Sequence, residues 1–232
     1  MEGRISTGTE VLDRLLEGGY ETDAITTIYG PAGVGKTNLA LLAAVTVAQQ
    51  GKKVIYIDTE GGFSVTRLKQ IVPQAKKVLD RIIFFQPTNF EEQKKAFAKL
   101  HQLVTNKIGL IVVDTITMLY RLQRTPEDVH EVNRELGMQI GILNEICRKQ
   151  RIPVVVTNQV YAQFDSGRVN MVGGDLLKYG SKCLLELQSL TAGRRRIILR
   201  KHRSIAGEKE AYFQIVEKGI LSCDYVLSDQ SS

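Results

Sequence analysis

Short apolar, β-branched runs recur along the chain, and between most of them lie longer stretches with apolar residues at helical spacing. Such runs, bounded by glycine and polar residues, have the length and composition of buried strands. They predict strands at Ile25 to Tyr29, Lys53 to Asp58, Arg81 to Phe85, Leu110 to Asp114 and Pro153 to Thr157. The intervening pattern predicts a short helix over Val11 to Leu16, opened by Ser6 and Thr7 and stopped by Gly18-Gly19. Further helices are predicted at Asn38 to Gln50, Ser64 to Ile71, Phe90 to Val104 and Glu127 to Arg151. Thr115 to Pro126 reads as a less regular segment, and Tyr161 to Gly174, with three glycines and no clear period, as a mobile loop. Beyond it the helices stop. Lys182 to Leu190, Arg194 to Arg203 and Ala211 to Val216 read as strands whose short connections imply antiparallel pairing at one edge of the sheet. The fold class is α/β: one domain over residues 1–232, a mostly parallel sheet flanked by helices, ending in a frayed tail after Ser228.

Composition narrows the function classes. Hydrophobic residues at 43% and charged residues at 24% exclude a disordered chain. Cys147, Cys183 and Cys223 are far apart and form no Cys-x-x-Cys pair, so they suggest neither a metal cluster nor a disulfide framework. No run approaches the roughly 18 apolar residues of a membrane span, and the first residues lack the apolar core of a signal peptide, so the expected location is cytoplasmic with no membrane partner. The net charge of +6 permits nucleic-acid binding without requiring it.

The strongest chemical signal is Gly30-Pro31-Ala32-Gly33-Val34-Gly35-Lys36-Thr37, which fits Gly-x-x-x-x-Gly-Lys-Thr and stands between a predicted strand and a predicted helix. Glycines at 30, 33 and 35 let successive backbone N–H groups face one concavity at a helix N-terminus, where a triphosphate fits. Lys36 is expected to reach the β- and γ-phosphates, and Thr37 to ligate the Mg²⁺ that bridges them. Asp58 and Glu60 follow the second long strand. Glu60 is placed to orient or deprotonate a water facing the γ-phosphate, or belongs to a solvated acidic turn. Asp114, closing an apolar run, has the form of a second Mg²⁺ residue. Asn158 and Gln159 end the strand at Pro153 to Thr157; Gln159 either contacts the γ-phosphate or is structural.

Candidate nucleic-acid contacts are scattered. Arg121 and Arg124 lie in the irregular segment, and Phe164 and Arg168 in the glycine-rich loop. Arg194, Arg195, Arg196, Lys201 and Arg203 form the densest basic stretch, either a phosphate-contacting surface or a charged edge strand that resists aggregation. His202 alone earns no catalytic role.

Taken together, Ile5-Ser6-Thr7-Gly8, the Leu12-Asp13-x-Leu15-Leu16-x-Gly18-Gly19 pattern, Gly30 to Thr37, Tyr56 to Phe63, Leu110 to Asp114 and Thr157-Asn158-Gln159-Val160 resemble the RecA/RadA recombinase superfamily over nearly the whole chain. Within it the chain is most similar to short archaeal paralogues that consist of the ATPase core alone. The resemblance implies ATP and Mg as cofactors, Glu60 as the water-activating carboxylate, Lys36 at the phosphates, Asp114 with Thr37 at Mg²⁺, and Gln159 as γ-phosphate sensor. It implies that Thr115 to Arg134 and Tyr161 to Gly174 correspond to two DNA-binding loops. The chain shows no N-terminal helix-hairpin-helix domain and no linker with a Phe-x-x-Ala docking element, which argues against autonomous filament growth. The implied role is accessory: weak, DNA-independent ATP hydrolysis, binding of single-stranded or branched DNA, association with the RadA recombinase and the Holliday-junction nuclease, and weak homo-oligomerisation. The alternatives are a filament-forming strand-exchange recombinase and a KaiC-like signalling ATPase acting on proteins.

Overall fold

The structure, a computed structural model, describes residues 3–123, 128–162 and 169–223. In chain order the elements are β1 (Arg4–Ile5), α1 (Glu10–Leu15), β2 (Tyr20–Glu21), β3 (Ile25–Gly30), α2 (Lys36–Gln49), β4 (Lys53–Asp58), α3 (Val65–Ile71), α4 (Ala75–Leu79), β5 (Ile82–Phe85) and α5 (Phe90–Leu103). There follow β6 (Ile108–Asp114), α6 (Met118–Gln123), α7 (Val129–Gln150), β7 (Val154–Ala162), β8 (Val169–Met171), α8 (Gly174–Gly180), β9 (Cys183–Ser189), β10 (Arg194–His202), β11 (Lys209–Val216) and β12 (Gly219–Ser222).

The main sheet runs β12-β11-β10-β9-β3-β7-β6-β4-β5, with β8 paired to the outer part of β7. From β9 through β5 every neighbour is parallel, and β9 to β12 pair antiparallel. Alternation along each parallel strand feeds both faces. In β4, Val54 and Tyr56 join α1 to α4 in one core, while Ile55 and Ile57 join α5 to α8 in the other. Burial on both faces explains why these strands read as continuous apolar runs rather than as a strict two-residue alternation. Side-chain caps set two helix starts as expected: Ser64 Oγ accepts from Arg67 N at 3.1 Å, and Asn89 Oδ1 accepts from Glu92 N at 2.9 Å.

Several elements differ from the sequence reading. Thr115 to Pro126 contains α6, and the helices do not stop after residue 161, because α8 follows Gly173. The predicted mobile loop is partly strand: β7 continues to Ala162 and β8 returns beside it. Arg194 to Arg203 is no edge strand. β10 lies between β9 and β11, so its backbone needs no guarding and its basic residues require another explanation.

Candidate nucleotide site

Parallel strands end on one side, and there β3 delivers the glycine loop. Gly30 must be glycine, because a Cβ there would lie 2.5 Å from the Leu187 carbonyl oxygen on β9. Gly35 has φ 110°, in the left-handed region, and a Cβ would strike Ile215 of β11 at 2.6 Å. Val34 is fully buried and anchors the loop in the core, while Pro31, Ala32 and Gly33 are exposed around the concavity. Lys36 opens α2. Its Nζ donates to the carbonyls of Gly30 at 2.9 Å and Pro31 at 2.8 Å, which holds the ammonium inside the loop. Burial lowers the Lys36 pKa, and the carboxylates of Glu60 and Asp114 oppose that shift.

Asp114 ends β6 directly opposite Asp58 at the end of β4. Its carboxylate is buried and accepts hydrogen bonds from Thr157, Thr37 and, at 3.1 Å, the Tyr56 hydroxyl. Burial raises its pKa, partly offset by those three donors, and nearby Asp58 pushes it further up. Tyr56 is held well above its ordinary value by burial and by the same Asp114 charge. A hydroxyl and a carboxylate in mutual contact at the first turn of α2 are hard oxygen donors of the kind Mg²⁺ takes, so Thr37 and Asp114 fit the metal expected of them.

The two acids after β4 separate in role. Asp58 is consumed by the backbone: Oδ1 accepts from the amides of Glu60 at 3.2 Å and Gly62 at 3.1 Å, and Oδ2 from Phe63 at 3.0 Å. That turn carries Glu60 off the strand and out to the exposed rim. There Glu60 Oε1 accepts from Thr115 Oγ1 at 2.9 Å and from Gln159 Nε2 at 2.6 Å. Thr115 is fixed by Thr59, whose hydroxyl donates to the Thr115 carbonyl at 2.7 Å. Arg121, on α6, donates to Gln159 Oε1 at 3.3 Å. The structure thus brings Lys36, Thr37, Glu60, Asp114 and Gln159 to one end of the sheet.

Residue types alone did not single out four of the groups that build this end: Tyr56, Thr157, Thr115 and Arg67. Arg67, on α3, donates from Nε to Asn38 of α2 at 2.7 Å, and from its other nitrogens to the carbonyls of Val216 at 2.7 Å and Glu217 at 2.8 Å. It straps the β11–β12 turn beside the helix that carries Lys36 and Thr37. Nothing in the local sequence distinguishes it from any other surface arginine.

The basic strand is distributed over both ends and both faces of the sheet. Arg195 Nε donates to the Val34 carbonyl at 3.2 Å, which puts it on the glycine loop. Arg196 pairs with Glu210 across the β10–β11 ladder, with Nε 2.8 Å from Oε2. Arg194 is half-buried, with its Nε away from any partner among the described residues. At the far end Lys201 donates to the carbonyls of Lys178 at 2.7 Å and Ser181 at 2.8 Å. Arg203 pairs with Asp23 and, at 2.9 Å, with Glu21. Arg124, Phe164 and Arg168 lie outside the described residues.

A profile of the Rad51 family matches residues 3–223. The chain is 42% identical over 218 residues to the DNA repair and recombination protein RadB of Methanobrevibacter smithii, covering 90% of this chain and 92% of that protein. To the RadB of Methanocaldococcus jannaschii it is 43% identical over 213 residues, covering 90% and 98%. Among solved structures, the crystal structure of the RadB recombinase superimposes with a TM-score of 0.81 at 38% identity, covering 94% of this chain and 99% of that one. With the glycine loop, the paired strand-end carboxylates and this likeness over almost its whole length, the chain belongs to the Rad51 family within the RecA/RadA recombinase superfamily.

Proposed function

We propose that the chain is a single ATPase core domain that binds ATP and DNA and assists homologous recombination and DNA repair, regulating a recombinase and the processing of branched DNA. The observation that carries this reading is the hydrogen-bonded series Thr115, Glu60, Gln159 and Arg121, which joins the carboxylate beside the glycine loop to α6. When bound, Mg²⁺ would neutralise charge developing on the phosphates. Lys36 would hold the terminal phosphates, Thr37 and Asp114 the metal, and Glu60 the attacking water, whose proton it accepts. Gln159 sits between Glu60 and Arg121, so a γ-phosphate that competes for its carboxamide would be felt at α6. RadA and a Holliday-junction nuclease are the proposed protein partners.

Slow hydrolysis follows from what lies out of reach. Lys201 is level with Thr27 and Arg203 lies past the level of Thr26, near the start of β3, whereas the glycine loop leaves its end. At ~3.3 Å per residue the separation is about 10 Å for Lys201 and more than about 13 Å for Arg203, and Lys201 is held on the Lys178 and Ser181 carbonyls, so neither cation serves its own loop. They line the side that another subunit's nucleotide could meet, and a cation supplied in this way can contribute roughly 10³ to 10⁵ in rate. If Lys201→Ala and Arg203→Ala leave turnover with RadA unchanged, this part of the reading fails.

The test of the whole is equilibrium binding to labelled single-stranded DNA at two salt concentrations, with and without ATP and Mg²⁺, beside turnover with and without DNA. Salt-sensitive binding that responds to ATP, with slow turnover indifferent to DNA, is expected. DNA-stimulated turnover would mark a strand-exchange recombinase. No DNA binding at all would return the chain to a signalling ATPase that acts on proteins.

A further inference from the structure

The ends of β6, β4 and β5 farthest from the glycine loop stand side by side; β4 begins with Lys53, and Arg81 and Lys107 immediately precede β5 and β6. Lys53 N donates to the Lys107 carbonyl at 2.8 Å, and Val54 N to the Arg81 carbonyl at 2.9 Å. With neighbouring strands ~4.8 Å apart, Lys107, Lys53 and Arg81 form a row about 10 Å long. Lys52 extends it, its Nζ on the Asn106 carbonyl at 2.8 Å, and Lys77 of α4 stands beside Arg81. Lys77 and Arg81, with Gln49 and Gln74, border a cleft of about 400 Å³ floored by Val72 and Pro73. All five cations are exposed.

This row differs from the basic strand β10. There Arg196, Arg200 and Arg203 are each held by a carboxylate. Here Asp80 is the only acid within residues 61–90, residues 46–57 and 101–113 contain none, and no cation of the row is within ion-pair distance of a described carboxylate. The segments that carry the row, residues 46–53, 72–82 and 101–109, contain no Phe, Tyr or Trp. Single-strand sites combine cations with rings on which bases stack, whereas unpaired cations without rings suit the sequence-independent phosphates of a duplex.

We propose that Lys52, Lys53, Lys77, Arg81 and Lys107 form a second DNA-contacting surface that takes the backbone of duplex DNA. The inference rests on the DNA-binding reading above and extends it. The row lies at the opposite end of the strands from Glu60, Gln159 and Arg121, so a protein that also holds DNA near α6 would join two DNA segments. That geometry suits a junction with more than one arm.

The test uses the full chain carrying Lys53→Gln, Lys77→Gln, Arg81→Gln and Lys107→Gln, titrated with a labelled duplex of about 30 base pairs at several salt concentrations. Each lost phosphate contact removes ~0.9 from the slope of log affinity against log salt, so a fall of roughly 2 to 4 is expected, with duplex affinity weakened at least ~10-fold. Fluorescent-ATP affinity stays unchanged. Should the quadruple variant melt early, Lys53→Gln with Lys107→Gln, whose side chains make no hydrogen bond to a described residue, is expected to give about half the change. A wild-type chain that binds duplex with a slope these substitutions leave alone overturns the surface but not the DNA-binding reading. A wild-type chain that binds no DNA overturns both. Equal loss of single-strand binding, or displacement of duplex by poly-glutamate at equal charge, overturns the duplex assignment.

Discussion

Gln159 Nε2 lies 2.6 Å from Glu60 Oε1, so a residue of β7 level with Gly30 and a residue beyond β4 share one hydrogen bond at the mouth of the glycine loop. The bond fixes Glu60 and occupies the carboxamide that would otherwise be free to meet a γ-phosphate. Gln159→Ala is expected to leave Mg·ATP affinity within about twofold while abolishing any effect of ATP on DNA affinity, because Arg121 loses its link to the site. Titrations with DNA in the presence and absence of ATP check this. A persistent ATP effect would sever Gln159 from the coupling.

Glu60 itself makes a narrower claim. Replacing it with Gln keeps the hydrogen-bonding shape but removes the base, and turnover is expected to fall about 10² to 10⁴-fold with nucleotide affinity retained. Single-turnover hydrolysis beside binding of a fluorescent ATP separates the two. Equal turnover in the variant would leave Glu60 as a rim residue only.

Asp114 ties the site to stability. Its pKa is raised in the fold above the ordinary 3.8, so its proton favours the folded state. That contribution is present in full below the unfolded value and is lost as pH rises through the folded one. At neutral pH the buried charge is therefore a cost, and Asp114→Asn is expected to melt higher than the parent. The gap should narrow as pH falls from about 7 toward about 4, while the Mg²⁺ dependence of ATP binding weakens. Melting curves across that range decide it; a variant that melts lower throughout would mean that the hydrogen bonds from Thr157 and Tyr56 outweigh the charge.

Arg67 joins three elements through one guanidinium. Hydrogen bonds from a charged donor contribute about 1.5–3 kcal/mol each where desolvated, and this group is partly exposed, so Arg67→Ala is expected to cost about 2 kcal/mol in urea unfolding. Arg67→Lys, which lacks the planar fork, should recover less than half of that. Unchanged stability would show that the β11–β12 turn holds without the strap.

The cysteines offer a check on the packing. Burial pushes the Cys147 thiol up to about 11 and Cys183 up to about 12. A thiol reagent at about pH 8 is expected to modify Cys223 quickly and the other two only after unfolding. Rapid modification of Cys183 would show that β9 opens.

The glycine loop was legible because each of its residues answers a local demand: glycine against the β9 backbone, a buried valine, a lysine at the helix start. The parallel strands were legible for the same kind of reason, since both faces are apolar. What stayed hidden has its cause elsewhere in the chain. α6 and α8 are too short for a 3.6-residue period to stand out, and α8 begins at Gly173, which looks like loop punctuation. Nothing in Arg194 to Arg203 says that β11 will cover it, because the pairing partner lies in other residues. The sequence singles out Glu60 but gives no sign that the Asp58 carboxylate closes the turn that carries it, because that role is set by the amides of Glu60, Gly62 and Phe63.

β10 runs the full depth of the sheet, with Arg195 against the Val34 loop and Arg203 at the other extreme beside Asp23. Two copies that met loop to Arg203 would therefore meet head to tail, a contact that repeats without closing unless rotation brings the row into a ring. An open row has unlike ends: one copy whose loop faces nobody, and one whose Arg203 end serves nobody. Its rate would count junctions rather than chains, so dilution would lower turnover per molecule, and a truncated copy able to engage only one way would cap growth from a single direction.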